Sequence, residues 1–242
     1  MKLTKFFLYI FILQTLPYNS ALAFKDKRPT LSRSELVKKY PSIEEGSKKK
    51  ENKKVMCPFL RMLHRAGALT TVSIKNDIMV RIGELAKASQ EFGCGIIACG
   101  SVAAGVSGGQ LSHLKDARSG RAKARYVNLT NLPHGRGFAH DGCGLTFNKG
   151  EKEISDDRRN KTLSRLKSLA DKKGRLKQED LKKVKLETCK EDGVKISLPG
   201  RVEIGLIWSY LDGGEKGYVD YKDIARLLNA EMPKMKIKKL LF

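Results

Sequence analysis

Three places in this chain hold residues whose types and spacing could do chemistry. Cys57 precedes Pro58, Phe59, Leu60 and Leu63, an apolar stripe that reads as a short helix with proline at its first position, where a missing N–H costs nothing. A sulfur at such a helix start faces free backbone N–H groups and the positive end of the helix dipole, which favours a thiolate fit for a nucleophile, a redox centre or a metal ligand. The plain alternative is a half-cystine. His140 and Asp141 set an imidazole beside a carboxylate in a glycine-rich stretch, where the plain alternative is a hydrogen-bonded turn. Glu203 is the single charge in the apolar run Val202 to Leu211. Burial would raise its pKa and suit it to proton transfer, whereas an exposed Glu203 would pair with Arg201.

The elements that must position these residues are read from apolar periodicity. Ser73 caps a helix carrying Ile74, Ile78, Ile82 and Leu85, which ends near Gly93, and a loop-rich stretch follows through Gly150. Helical spacing returns at Leu163, Leu166 and Leu169, with Gly174 closing that helix. It recurs over Gln178 to Glu191 with Leu181, Val184 and Leu186 as the apolar positions, and again over Arg201–Leu211 and Asp220–Ala230. Strand alternation is scarce, so the fold class is mostly α, in one helical domain spanning residues 56–233.

The ends of the chain carry other signals. Lys2 and Lys5, the apolar run Phe6 to Leu13 and the exit Ala21-Leu22-Ala23 have the order of a cleavable signal peptide over residues 1–23, which makes the protein secreted. Residues 24–55 are rich in Lys, Ser and Glu and read as a basic flexible linker, and residues 234–242 as a basic tail. No later run approaches the roughly 20 apolar residues of a membrane span. A net charge of +22 favours anionic partners, a surface or polymer, while the lack of aromatic residues among the lysines argues against a specific nucleic-acid function. Five cysteines in an oxidising compartment leave one thiol outside intramolecular pairing, and Cys57 has a physical reason to be that one. Asn128-Leu129-Thr130 and Asn160-Lys161-Thr162 are glycosylation sequons.

Taken in order, these features resemble the chloroperoxidase-type haem-thiolate family of haloperoxidases and peroxygenases. The likeness rests on Met56-Cys57-Pro58-Phe59-Leu60, the run from Leu129 to His140-Asp141, Asp171 to Leu176 with Glu179-Asp180-Leu181, then Glu203, and Gly213-Gly214 through Pro233. The resemblance implies haem b with Cys57 as the axial iron ligand, Glu203 as distal acid-base group, and His140 oriented by Asp141 close by. Thiolate donation favours O–O cleavage, so the implied partners are hydrogen peroxide and a small organic substrate. Where the family keeps a glutamate and a serine that help hold Mg²⁺ or Mn²⁺, this chain has Ala139 and Cys143, so that cation is not carried over. The alternative is a secreted, non-catalytic interaction protein.

One further motif belongs to another class. Asp212 to Asp223 has the glycine at position six, the aliphatic residue at eight and the acid at twelve of an EF-hand calcium loop. Gly214 and Lys216 stand at positions three and five, where the loop needs side-chain oxygens.

Overall fold

A computed structural model of the chain describes residues 30–44, 48–74, 77–94, 111–115, 123–130 and 142–234. The expected signal peptide, His140 and Asp141 lie outside the described residues. Among those described, roughly half are helical, and none of the helices is long and apolar enough to cross a membrane.

Ordered structure begins well before Met56, inside the stretch expected to be a flexible linker. Helix α1 (Arg33–Lys39) starts at Ser32, whose hydroxyl accepts the Glu35 N–H while the Glu35 carboxylate accepts the Ser32 N–H at 2.7 Å. This reciprocal cap supplies the helix start that composition alone hides. A 3-10 turn, Pro41–Ile43, follows, and Leu36, Ile43 and Val55 are all buried in the main core. Three apolar residues widely spaced in a lysine-rich stretch show no periodicity, yet each finds a place against the domain.

Helix α2 (Pro58–Arg65) has Cys57 as its N-cap residue in extended backbone and is followed by Gly67 at φ +71°. The expected helix from Ser73 does not form there. Strands β1 (Thr71–Ile74) and β2 (Asp77–Arg81) pair antiparallel, Thr71 opposite Val80 and Ser73 opposite Ile78, and only then does α3 (Ile82–Glu91) begin. Ile74, Ile78 and Ile82 are four apart and so fit a helix face. The β-branched run Thr70-Thr71-Val72 stiffens the backbone toward strand, and Ile78, Met79 and Val80 are all buried, which removes the alternation that would have announced a strand. Strands β3 (Leu111–Lys115) and β4 (Lys123–Asn128), in the stretch expected to be loops, complete a four-stranded antiparallel sheet in the order β1-β2-β4-β3.

The C-terminal half is helical, as expected. It comprises α4 (Asp156–Leu169), α5 (Gln178–Glu191), α6 (Leu198–Tyr210), the single turn α7 (Gly213–Lys216) and α8 (Tyr221–Leu228). Two short strands, β5 (Arg175–Leu176) and β6 (Val219–Asp220), lie between α4 and α5 and between α7 and α8. One cluster, including Leu36, Leu63, Leu166, Leu181, Ile207 and Leu227, joins both halves, and a smaller one of Met56, Phe147 and Ile154 is separate from it. Leu186 departs from the expected α5 face. Leu181, Val184, Lys185 and Thr188 point inward, and Leu186, a half-turn away, is 53% exposed.

Candidate functional site

Cys57 and Glu203, read from the sequence as separate leads, lie close enough for the Glu203 carboxylate to act on the Cys57 thiol. Cys57 is the free cysteine among the described residues, since Cys143 and Cys189 are bonded to each other and Cys94 is also in a disulfide. Its ionisation runs against the helix-cap expectation. Burial pushes the thiol pKa up and the Glu203 carboxylate adds to the rise, while the backbone N–H groups of Leu60 and Phe59 and the Arg61 charge pull it down with less effect. The thiol is therefore held protonated at neutral pH: its desolvation outweighs the dipole.

Glu203 is not a lone acid in an apolar helix. Its side chain is 17% exposed, and Lys185 of α5, wholly buried, donates to its Oε2 at 2.5 Å. Sequence reasoning missed Lys185, although its position on the Leu181–Val184–Thr188 stripe was the available signal. Beneath the start of α2, Arg61 is also wholly buried. It donates to the Leu228 carbonyl at 2.7 Å and to the Val55 and Met56 carbonyls at 3.3 Å, and its Nε lies 3.0 Å from Glu51 Oε2. Burial lowers the Arg61 pKa to about 10, so it keeps its charge at neutral pH. No group of three or more His, Cys, Asp or Glu side chains among the described residues is placed to hold a metal ion. A sulfur at the start of α2 is a donor of the kind iron takes, but the Glu203 carboxylate expected to serve as its acid is engaged by the Lys185 ammonium.

The second constellation lies at the far end of these helices. The α4–β5–α5 and α6–α7–β6–α8 segments are two helix–loop–helix units, and β5 and β6 join their loops with Arg175 opposite Asp220 and Leu176 opposite Val219. With Gly174 and Gly217 each taken as position six of a twelve-residue loop, the loops are 169–180 and 212–223. Both glycines take positive φ, +76° and +71°, as the sharp turn of such a loop demands, and Leu176 and Val219 are the two position-eight residues facing each other.

The ligand positions have been put to other uses. In the first loop, position one is Leu169 and position five Lys173. Asp171 at position three accepts the Lys173 and Arg175 N–H groups at 2.8 and 2.9 Å, and Asp180 at position twelve accepts the Lys177 N–H at 2.7 Å. In the second loop, Lys216 at position five places its ammonium 3.8 Å from Asp212 at position one, and Asp223 at position twelve accepts the Lys234 N–H at 2.7 Å. The Arg175 guanidinium lies 4.2 Å over the Tyr218 ring. Protein cations and backbone donors thus engage the carboxylates that a calcium loop keeps for its ion. The sequence shows the second loop but hides the first, whose position one is apolar. No family model, curated protein or solved structure matches this chain.

Proposed function

We propose that this chain is a secreted, non-catalytic interaction protein built on an EF-hand-type pair of helix–loop–helix units that has given up calcium. The observation that carries this reading is the β5–β6 bridge between two glycine-turned loops whose fifth positions are both lysine. Stretches that suggested a haem protein, Asp171 to Leu176 and Gly213 onward, have an account in this arrangement as loop, turn and short strand. Calcium at 1 mM should leave the thermal midpoint of the protein unchanged. A variant with Gly214→Asp, Lys216→Asp and Asp223→Glu should gain calcium-dependent stabilisation, about 2.7 kcal/mol if its dissociation constant falls a hundredfold below the calcium concentration. A calcium-induced rise in the unmodified protein would sink the proposal.

One observation favours a second reading. The Glu203 carboxylate is near enough to raise the Cys57 thiol pKa, and in a haem-thiolate peroxidase Cys57 would hold iron while Glu203, His140 and Asp141 would move protons. Bound haem would supply peroxide activation in that case, and the chain would contribute the sulfur donor and the acid. Haem added to purified protein would then give a thiolate-type ferrous–CO spectrum that Cys57→Ala abolishes. Absence of any Soret band removes this reading.

A further inference from the structure

If the loop pair is a fixed scaffold, as proposed above, its partner must meet an outward face, because the inner face is filled by the chain itself. The Phe59 ring of α2 packs edge-on against Tyr210 of α6 at 5.1 Å, and Arg61 ties α2 to the end of α8. Outward, α5 carries a stripe of Glu179, Lys182, Lys183, Leu186, Glu187 and Lys190 that lines a shallow, open depression of about 370 Å³. Leu186 is one of two large apolar side chains exposed among the described residues; the other, Val72, is on the edge strand β1.

The charges around Leu186 are not balanced. Glu187 is bridged to Arg165 at 3.4 Å and Glu179 to Lys182 at 4.0 Å, whereas Lys183 and Lys190 have no ion-pair partner among the described residues. Lys172, Lys173 and Lys177 extend the positive field past the start of α5. A flat anionic membrane fits this stripe poorly: one leucine gives little surface to insert, and Glu179 and Glu187 would face the headgroups. An acidic peptide with an apolar residue fits better, since its side chains can place carboxylates on Lys183 and Lys190 and a methyl-bearing group on Leu186.

We propose that the outward face of α5 docks an acidic amphipathic segment of a partner protein, with Leu186 as the apolar anchor and Lys183 and Lys190 as its charged flanks. The test uses the full chain and a fluorescent helical peptide of glutamate and leucine at i, i+3 and i+4 spacing, with polyglutamate and phosphatidylserine vesicles as comparison probes. Lys183→Glu with Lys190→Glu should weaken peptide binding by about tenfold or more, as reversing two exposed charges allows. Leu186→Ser should weaken it about fivefold, in keeping with half a leucine's burial, and leave polyglutamate binding unchanged. All three positions are exposed, so an unchanged thermal midpoint will show that the variants fold.

Equal peptide affinity in the parent and both variants overturns the proposal. Vesicle binding without peptide binding also overturns it and assigns the basic face to lipid. The scaffold reading fails separately: calcium would then stabilise the parent protein whether or not the peptide binds.

Discussion

Lys185 and Glu203 form a pair whose removal, one side at a time, should expose what each charge does in isolation. Lys185 is wholly buried and Glu203 17% exposed, so the two halves are not equivalent. Lys185→Met leaves a carboxylate that can turn partly toward water, and the expected loss of stability is near the lower end of the range for a broken buried pair, about 3 kcal/mol. Glu203→Leu strands an ammonium with no solvent contact, which places the loss nearer about 5 kcal/mol. The double variant Lys185→Met/Glu203→Leu has no stranded charge and should return to within about 1 kcal/mol of the parent, because replacing a buried ion pair with apolar groups of similar size is often neutral. Urea unfolding of the four proteins at one pH measures the cycle. A double variant destabilised by the sum of the single losses, with coupling under about 0.5 kcal/mol, would refute the pairing. The cycle also separates two roles for Glu203. A structural carboxylate loses its importance once Lys185 is gone, whereas an acid-base group does not.

Three other outcomes follow from particular contacts. The Cys143–Cys189 bond spans 46 residues, for which the chain-entropy estimate of its stabilisation is about 4 kcal/mol; the Cys143→Ala/Cys189→Ala variant should melt roughly 8–16 °C lower, and a shift under about 3 °C would deny the bond its role. Glu191 is held at about 2 by Arg165 first and by Lys161, so its contribution is complete above the ordinary carboxyl value of 4.5 and is lost as pH falls from there toward 2. Glu191→Gln should therefore flatten the acid limb of a stability–pH curve over that window, and an unchanged limb contradicts the assignment. A methyl group on Gly213 would collide with the Trp208 indole, so Gly213→Ala should cost about 1–3 kcal/mol in chemical denaturation, whereas Gly214→Ala, with open space around it, should cost less than about 1 kcal/mol.

What could be read from the sequence followed from how strongly each signal depended on its neighbours. The helices α2, α4, α5, α6 and α8 were legible because each carries apolar residues three and four apart, with a local start such as Pro58; Gly174, expected to close α4, instead turns the loop beyond its end at Leu169. The β1–β2 hairpin was not, because buried β2 lacks alternation and Ile74, Ile78 and Ile82 mimic a helix face. Helix α1 was hidden by its charge, since one buried leucine in seven residues makes no period. At the candidate site, Cys57 at a helix cap and Glu203 on an apolar helix were visible as single residues. Their common neighbourhood, the burial that keeps the thiol protonated and the Lys185 lock were not, because each depends on packing between helices distant in sequence. The first loop of the pair was illegible for the opposite reason: it departs so far from a calcium motif that only its pairing with the second reveals it.

A calcium-sensing pair works as a switch because an external ion biases two arrangements of its helices. In the reading proposed for this chain, groups of the chain itself stand where that ion would be. The Lys216 ammonium stands beside Asp212, and Asp171, Asp180 and Asp223 spend their oxygens on backbone N–H groups. The inner face of the helix pair is occupied by α2, which carries Arg61, so withdrawing α2 would break the bond from Arg61 to the Leu228 carbonyl at the end of α8 and leave that buried carbonyl without its donor. On the proposed reading such a scaffold takes no ion, so binding at its surface should be constitutive. Regulation would then have to act on the availability or charge of the partner, and phosphorylation of an acidic partner segment would strengthen the contact with Lys183 and Lys190 without any change in this protein.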